Sequence, residues 1–282
     1  MTNPILFPNL GLSFTIPPIA FQLGAVSVHW YGVIIGTGFL LAVIYALARK
    51  KTFGLTEDHI LSMLLAAVPA AIVCARIYYC AFYWELYREN PISVLYIWEG
   101  GIAIYGAVIG AVTAAILYCR HAKIPFGAMG DIGALGLLIG QAIGRWGNFV
   151  NQEAFGRAVE NADYLLKMGL YKGGELGFYH PTFLYESLWN AVGFLLLHFY
   201  SKHRKYDGEI FTLYIAWYGI GRCWIEGLRT DSLWLFGTGI RVSQLLAAVS
   251  AVIAIALWLY VRLRKKPDGS ALYANRAQST ES

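Results

Sequence analysis

The sequence predicts an all-α integral membrane protein of about seven transmembrane helices, and three observations predict it. Hydrophobic residues make up 57% of the 282 and charged residues only 14%, where a soluble domain carries about a quarter charged. Seven stretches approach the ~20 mainly apolar residues that a spanning helix needs. Lys and Arg cluster after alternate stretches only, the asymmetry that orients membrane helices.

In chain order, the first residues, "MTNPILFPNLGLSFTIPP", carry Pro4, Pro8 and Pro17 ahead of Pro18 and no Lys or Arg. They lack the basic start of a cleavable signal and are expected outside the membrane or along its surface. The spans are read near Val28–Ala48, Ile60–Phe82, Ile102–Cys119, Ile132–Ile143, Phe183–Tyr200, Ile210–Ile225 and Leu245–Val261. The fourth is short and is expected to extend into the polar stretch that follows it.

Arg49, Lys50 and Lys51 follow the first span, Arg120 and Lys123 the third, Lys202, Arg204 and Lys205 the fifth, and Arg262, Arg264, Lys265 and Lys266 the seventh. The loop after the second holds only Arg88, beside Glu85, Glu89 and Glu99. The pattern puts the N-terminus outside and the C-terminus in the cytoplasm. The loop 151–181 then lies outside, as a small head. Residues 1–266 are expected to form one membrane domain and 267–282 a polar, disordered cytoplasmic tail.

The formal charge of +5 gathers into no long basic patch, which argues against nucleic-acid binding. Cys74, Cys80, Cys119 and Cys223 sit in or beside apolar runs without metal spacing and are read as reduced packing residues. No metal or cofactor is expected. GxSxG, HExxH and Walker motifs are absent from the sequence, so a serine hydrolase, a zinc protease or a nucleotide-driven pump has no support. There is no internal repeat of the kind transporters often show.

Two polar constellations stand out. The fourth span reads "DIGALGLLIGQAIGRWGNF", with glycines at 133, 136, 140, 144 and 147. Steps of three or four leave one helix face almost bare, which suits close helix packing. At its end come Arg145 and Asn148, with Gln152 on the same face if the helix continues, then Asn151 and Glu153. Arg145 either snorkels to lipid headgroups or belongs to a site; the asparagines and Glu153 beside it favour the site, since intramembrane charge is costly. The sixth span holds "YGIGRCWIEGLR", where Tyr218, Arg222, Glu226 and Arg229 fall on one stripe. That stripe is either a self-contained Arg–Glu network or an arginine held toward an anionic substrate, for which the planar guanidinium is suited.

Weaker features are "VHWYGVIIG" with His29 and Tyr31, "WEGGIAIYGAVIG" with Trp98 and Tyr105, and "HPTFLYES" with His180, Tyr185 and Glu186. Each alone fits an interfacial aromatic belt or a helix start.

Taken together, "HWYG", "WEGGIAIYGAVIG", "GRWGNFVNQEAFG", "HPTFLYE" and "YGIGRCWIEGLR" resemble the bacterial prolipoprotein diacylglyceryl transferases. They follow the family's order from roughly His29 to Arg229, and the family too has seven helices. The resemblance implies a multi-pass protein of the bacterial plasma membrane, with phosphatidylglycerol, a prolipoprotein lipobox segment and membrane lipid as partners. It implies transfer of the diacylglyceryl group to the lipobox cysteine, forming a thioether and releasing glycerol phosphate.

By matching motifs, Arg145, Asn148, Glu153 and Gly156 correspond to the family's signature site. Arg222 and Glu226 match an essential arginine and its nearby acid, and Tyr31 a functional tyrosine. Arg145 and Arg222 are expected to engage the lipid phosphate, Asn148 and Glu153 to orient arginine and headgroup, and Tyr218 to support Arg222. Tyr105 stands where well-known members carry a histidine proposed as the base. A neutral phenol with a pKa near 10 is a poor base at neutral pH, so another group is expected to take the proton. A transporter or flippase for an anionic lipid or solute is the competing reading, because intramembrane arginines suit both.

Overall fold

The computed structural model describes residues 3–24, 26–229 and 241–276. Seven long helices account for the seven apolar stretches: α1 (Trp30–Arg49), α2 (Glu57–Phe82), α3 (Ile104–His121), α4 (Phe126–Val150), α5 (Thr182–Tyr200), α6 (Glu209–Glu226) and α7 (Val242–Tyr260). Five of them, α1 to α4 and α7, are long and apolar enough to cross a membrane. The polar residues that lower the hydropathy of α5 and α6 include those of the site described below. The fourth span does extend into the polar stretch: α4 continues to Val150.

The prediction of an all-α protein needs correction. The N-terminal segment folds into β1 (Ile5–Phe7), β2 (Leu12–Phe14), β3 (Ile19–Leu23) and β4 (Val26–His29), and the 151–181 loop contributes β5 (Met168–Lys172) and β6 (Glu175–Tyr179). One sheet has the order β2-β1-β5-β6, and β3 pairs with β4. The head is therefore built from two distant segments, joined where Leu6 pairs with Gly169. Their backbone groups need partners outside any helix, and the ladder supplies them. Ile5, Phe7, Met168 and Leu170 form a small core with Phe149 of α4 and Phe183 of α5. That core ties the head to the ends of the two helices that carry the site.

α4 is the central post, packed on α1, α5 and α6, while α2 pairs with α3 and α6 with α7. The glycine stripe lets α1 approach. A Cβ on Gly147 would lie 2.8 Å from the Tyr31 ring, closer than a side chain tolerates.

The opposite end is closed by charge. Asp131 of α4 is fully buried and accepts the backbone N–H groups of Gly208 (3.0 Å) and Phe211 (2.9 Å), capping α6 from another helix. Arg204 donates to Thr52 O at 2.6 Å and lies over the Phe53 ring. Residues past α7 differ from the expected disordered tail as far as Arg276. Tyr273–Arg276 form a helical turn, Tyr273 N donates to Asp207 Oδ2 at 2.9 Å, and the Ala274 backbone lies so close to Gly54 that a Cβ there would come within 2.7 Å of it. Residues 277–282 of that tail lie outside the described residues. The segments following α1, α5 and α7 thus meet at one end, with the head at the other.

Candidate active site

The site forms where the head-side ends of α4, α5 and α6 converge. α4 presents Arg145, α5 presents Glu186, and α6 presents Arg222 with Glu226 one turn on. Glu186 is the hub. Its Oε2 lies 2.5 Å from Arg145 Nη2, and its Oε1 lies 3.6 Å from Arg222 Nη1 and 3.5 Å from Arg229 Nη1. Glu226 holds Arg222 from the other side at 2.7 Å and accepts the Ser243 hydroxyl at 2.6 Å. Both carboxylates are buried, with side chains 6% and 2% exposed, whereas those of Arg145 and Arg222 keep 22% and 20%. Among the described residues three guanidiniums meet two carboxylates in a low-dielectric setting, where charge counts for more than in water.

The signature stretch wraps this cluster. Arg145 Nη1 stands 3.5 Å from Asn148 Oδ1, Asn148 Nδ2 donates to Glu153 Oε1 at 3.0 Å, and Asn151 Nδ2 reaches the same oxygen at 3.3 Å. Glu153 turns back because the chain leaves α4 through two left-handed non-glycine residues, Gln152 (φ 54°) and Ala154 (φ 53°). Such conformations are uncommon and persist where the surroundings impose them. Gln152 does not join the Arg145 face. It leaves the helix and donates to Asn3 O at 2.9 Å, pinning the head. Gly156 bridges to Arg229, and a Cβ there would fall 2.8 Å from His180 Cβ. Arg157 N donates to Leu228 O at 2.6 Å. The end of the motif is thereby stitched to the end of α6.

Some expected residues stand elsewhere. Tyr105 is half-exposed on α3, 6.5 Å from the Tyr78 ring, and hydrogen-bonds to no residue of the cluster. Tyr31 lies against Gly147 through its ring, beneath the signature stretch. Tyr218 was expected to support Arg222, yet its hydroxyl makes no hydrogen bond to that guanidinium; it lines a cavity beside it. His180, in the head, hydrogen-bonds through Nδ1 to the Tyr185 hydroxyl at 3.1 Å. Burial, followed by the Arg157 charge, lowers its pKa below the ordinary value.

Sequence reasoning gave no site role to two residues. Glu186, the hub, sits in the first turns of α5, where an acid also reads as simple dipole matching. Arg76 of α2 is buried and donates to five carbonyls: Val94, Gly100, Gly101, Ser93 and Tyr96. It organises the loop into α3. Gly101 (φ 73°) must be glycine, since a Cβ would come 2.5 Å from Arg76 Nη1. No sequence spacing signals a guanidinium whose hydrogen bonds all go to backbone carbonyls.

Among the described residues no group of three or more His, Cys, Asp or Glu could hold a metal ion. A mostly helical chain with membrane-length helices and a buried, arginine-rich cluster at their ends defines a multi-pass membrane protein. The sequence model of the prolipoprotein diacylglyceryl transferases matches residues 18–260, and the chain belongs to that family. Among its relatives, the phosphatidylglycerol–prolipoprotein diacylglyceryl transferase of Bacillus velezensis is 44% identical over 261 residues, covering 90% of this chain and 95% of the relative. The protein of the same name from Lysinibacillus sphaericus is 45% identical, covering 91% and 96%. That from Limosilactobacillus reuteri is 44% identical, covering 92% and 96%.

Proposed function

We propose that the arginine cluster at the ends of α4, α5 and α6 transfers the diacylglyceryl group of phosphatidylglycerol to the cysteine thiol of a prolipoprotein's lipobox. The observation that carries this reading is the shared carboxylate: Glu186 is divided among Arg145, Arg222 and Arg229. Around the two buried carboxylates the Arg145 and Arg222 side chains stay 22% and 20% exposed, so an incoming phosphate finds donors already aimed. The sulfur of the thiolate bonds to the glyceryl carbon as that carbon's bond to the phosphate oxygen breaks. The oxygen takes the electron pair, and glycerol phosphate leaves. The thiol's proton passes to solvent or to the departing phosphate. Arg145 and Arg222 hold the phosphate as negative charge builds on it. Asn148 and Glu153 orient Arg145, Glu226 orients Arg222, and Gly156 and Tyr31 keep the surrounding backbone close.

Seven crossings support this reading better than five. α5 and α6 are of membrane length, 19 and 18 residues, and their polar faces meet inside the bundle. The Lys/Arg asymmetry puts the head outside and the other end in the cytoplasm of a bacterial plasma membrane. A lipid donor in the outer leaflet and an exported thiol then meet at the head side.

The test is incubation of the purified protein in detergent with phosphatidylglycerol and a lipobox peptide, read by mass spectrometry. The peptide gains a diacylglyceryl group. A peptide mass that never changes, with folded protein, overturns the reading.

A further inference from the structure

Between α5 and α6 a small cavity adjoins the cluster, lined by Glu186, Trp189, Asn190, Tyr218, Arg222 and Ile225. Its rim is charged, through Glu186 and Arg222. One helical turn deeper on each helix, about 6 Å away, stand Asn190 and Tyr218. Asn190 is 4% exposed, yet its carboxamide makes no hydrogen bond to any described residue. Its polar atoms are not sealed off, since Asn190 lines the cavity, so they are open to water or to a ligand that enters it. The Tyr218 hydroxyl likewise has no partner among the described residues; its ring stacks on Tyr214 with centroids 6.0 Å apart.

The tryptophans beside Asn190 are already engaged with each other. The Trp189 indole donates to Trp217 O at 3.0 Å, Trp217 donates to Trp189 O at 3.0 Å, and the two rings stack at 4.3 Å. This reciprocal clasp fixes the wall between the helices. Glu186 is committed to its arginines. The cavity therefore presents a fixed, unused donor one turn below the charged rim.

We propose that Asn190 is a specificity-determining residue that donates its amide N–H to an ester carbonyl of the diacylglyceryl group. The inference rests on the assignment of the phosphate to Arg145 and Arg222. With the phosphate there, the acyl chains run toward the bilayer centre, and the ester carbonyls are the next polar atoms below it. The distal glycerol points the other way, toward the head. An ester carbonyl accepts and cannot donate, which matches an amide N–H and a phenol O–H. Held by phosphate above and carbonyl below, the glyceryl carbon between them is presented to the thiolate in a fixed orientation.

The experiment compares two donors with the same headgroup, a diester phosphatidylglycerol and its dialkyl ether analogue, in the peptide-transfer assay. The wild-type protein transfers the diester several-fold faster, up to about tenfold for one hydrogen bond. Asn190→Leu, of similar size, slows the diester alone and brings the ratio to about one. Asn190→Asp, which keeps an acceptor and loses the donor, lowers the ratio as well. The ratio is internal to each preparation, so partial unfolding does not move it, and the wild-type ratio alone tests the idea if the variants fail to fold. Equal wild-type rates on the two donors overturn it. So does an Asn190→Leu protein that slows both donors equally. Loss of discrimination between phosphatidylglycerol and phosphatidic acid would assign Asn190 to the distal glycerol instead. Failure of the arginine assignment reads differently, as Arg145→Ala or Arg222→Ala variants that keep wild-type rates on both lipids.

Discussion

The two ends of the helical bundle each hold a buried charge network, built to opposite plans. At the end away from the head, Glu209 is fully buried and its carboxylate is saturated. It accepts the Tyr200 hydroxyl (2.9 Å), Lys205 N (2.6 Å), Trp258 Nε1 (3.0 Å) and Arg262 Nε (2.7 Å). Asp131 beside it is satisfied by two backbone N–H groups and the nearby Arg204. Donors from several elements converge on each acid, which is what burying a carboxylate demands, although Arg204 Nε, the Tyr206 hydroxyl and Asp207 Oδ1 nearby have no hydrogen-bond partner among the described residues. At the head end the arrangement is reversed. Three arginines share Glu186, and next to them Asn190 has no hydrogen-bond partner among the described residues. A network that closes on itself holds a fold together. One that leaves donors over, beside a cavity, is prepared for something that arrives from outside.

Both networks can be broken, and the consequences should differ in kind. Arg222→Ala or Arg145→Ala removes a donor that the proposed mechanism aims at the leaving phosphate. We expect transfer per folded molecule to fall by about 10²–10³-fold, measured by peptide transfer beside a melting curve, since a buried carboxylate that loses a cation also costs stability. Glu186→Gln keeps the shape of the hub and removes the charge that positions the arginines. Transfer should fall by about tenfold or more, again in protein that folds. Arg262→Met leaves Glu209 buried without its cation. It should cost about 3 kcal/mol of stability while activity per folded molecule stays at the wild-type level, measured by denaturation in parallel with transfer.

Smaller effects sharpen the edges of the comparison. Tyr105→Phe should fall far short of the about 10²–10⁴-fold loss that removing a general base causes, because Tyr105 touches none of the cluster. Near-complete loss in folded protein would put the phenol back in the chemistry. His180 has its pKa lowered by burial, then by Arg157. The folded head thus favours the neutral ring, and the stability this supplies is present above the unfolded value of about 6.5 and is lost as pH falls through the lower folded value. The melting temperature of wild type should drop between pH 7 and pH 5 by slightly more than that of His180→Gln.

The helices were legible because lipid leaves few options: long apolar runs must satisfy their own backbone, and positive charge marks one side. The strands were not. β1 to β4 are short and interrupted by proline, and β1 completes its sheet only with β5, a pairing between Leu6 and Gly169 that no local pattern announces. In the site, Arg145, Arg222 and Glu226 could be found because charge inside an apolar run needs a reason. The choice between a closed network and a binding site could not be made from the stripe on α6 alone. It depended on Glu186, contributed by a different helix, and on where the remaining donors point. Asn190 and Arg76 were invisible for the same reason: their meaning lies in the partner that is missing or the backbone that surrounds them.

The central claim is that the head-side arginine cluster does chemistry and the opposite-end network does not. The most direct test measures diacylglyceryl transfer per folded molecule for Arg222→Ala and Arg262→Met side by side, in detergent, with phosphatidylglycerol and a lipobox peptide. The account predicts that Arg222→Ala folds and fails to transfer, while Arg262→Met is less stable and transfers at the wild-type rate. An Arg222→Ala protein that transfers normally, or an Arg262→Met protein that is stable and inactive, would contradict it.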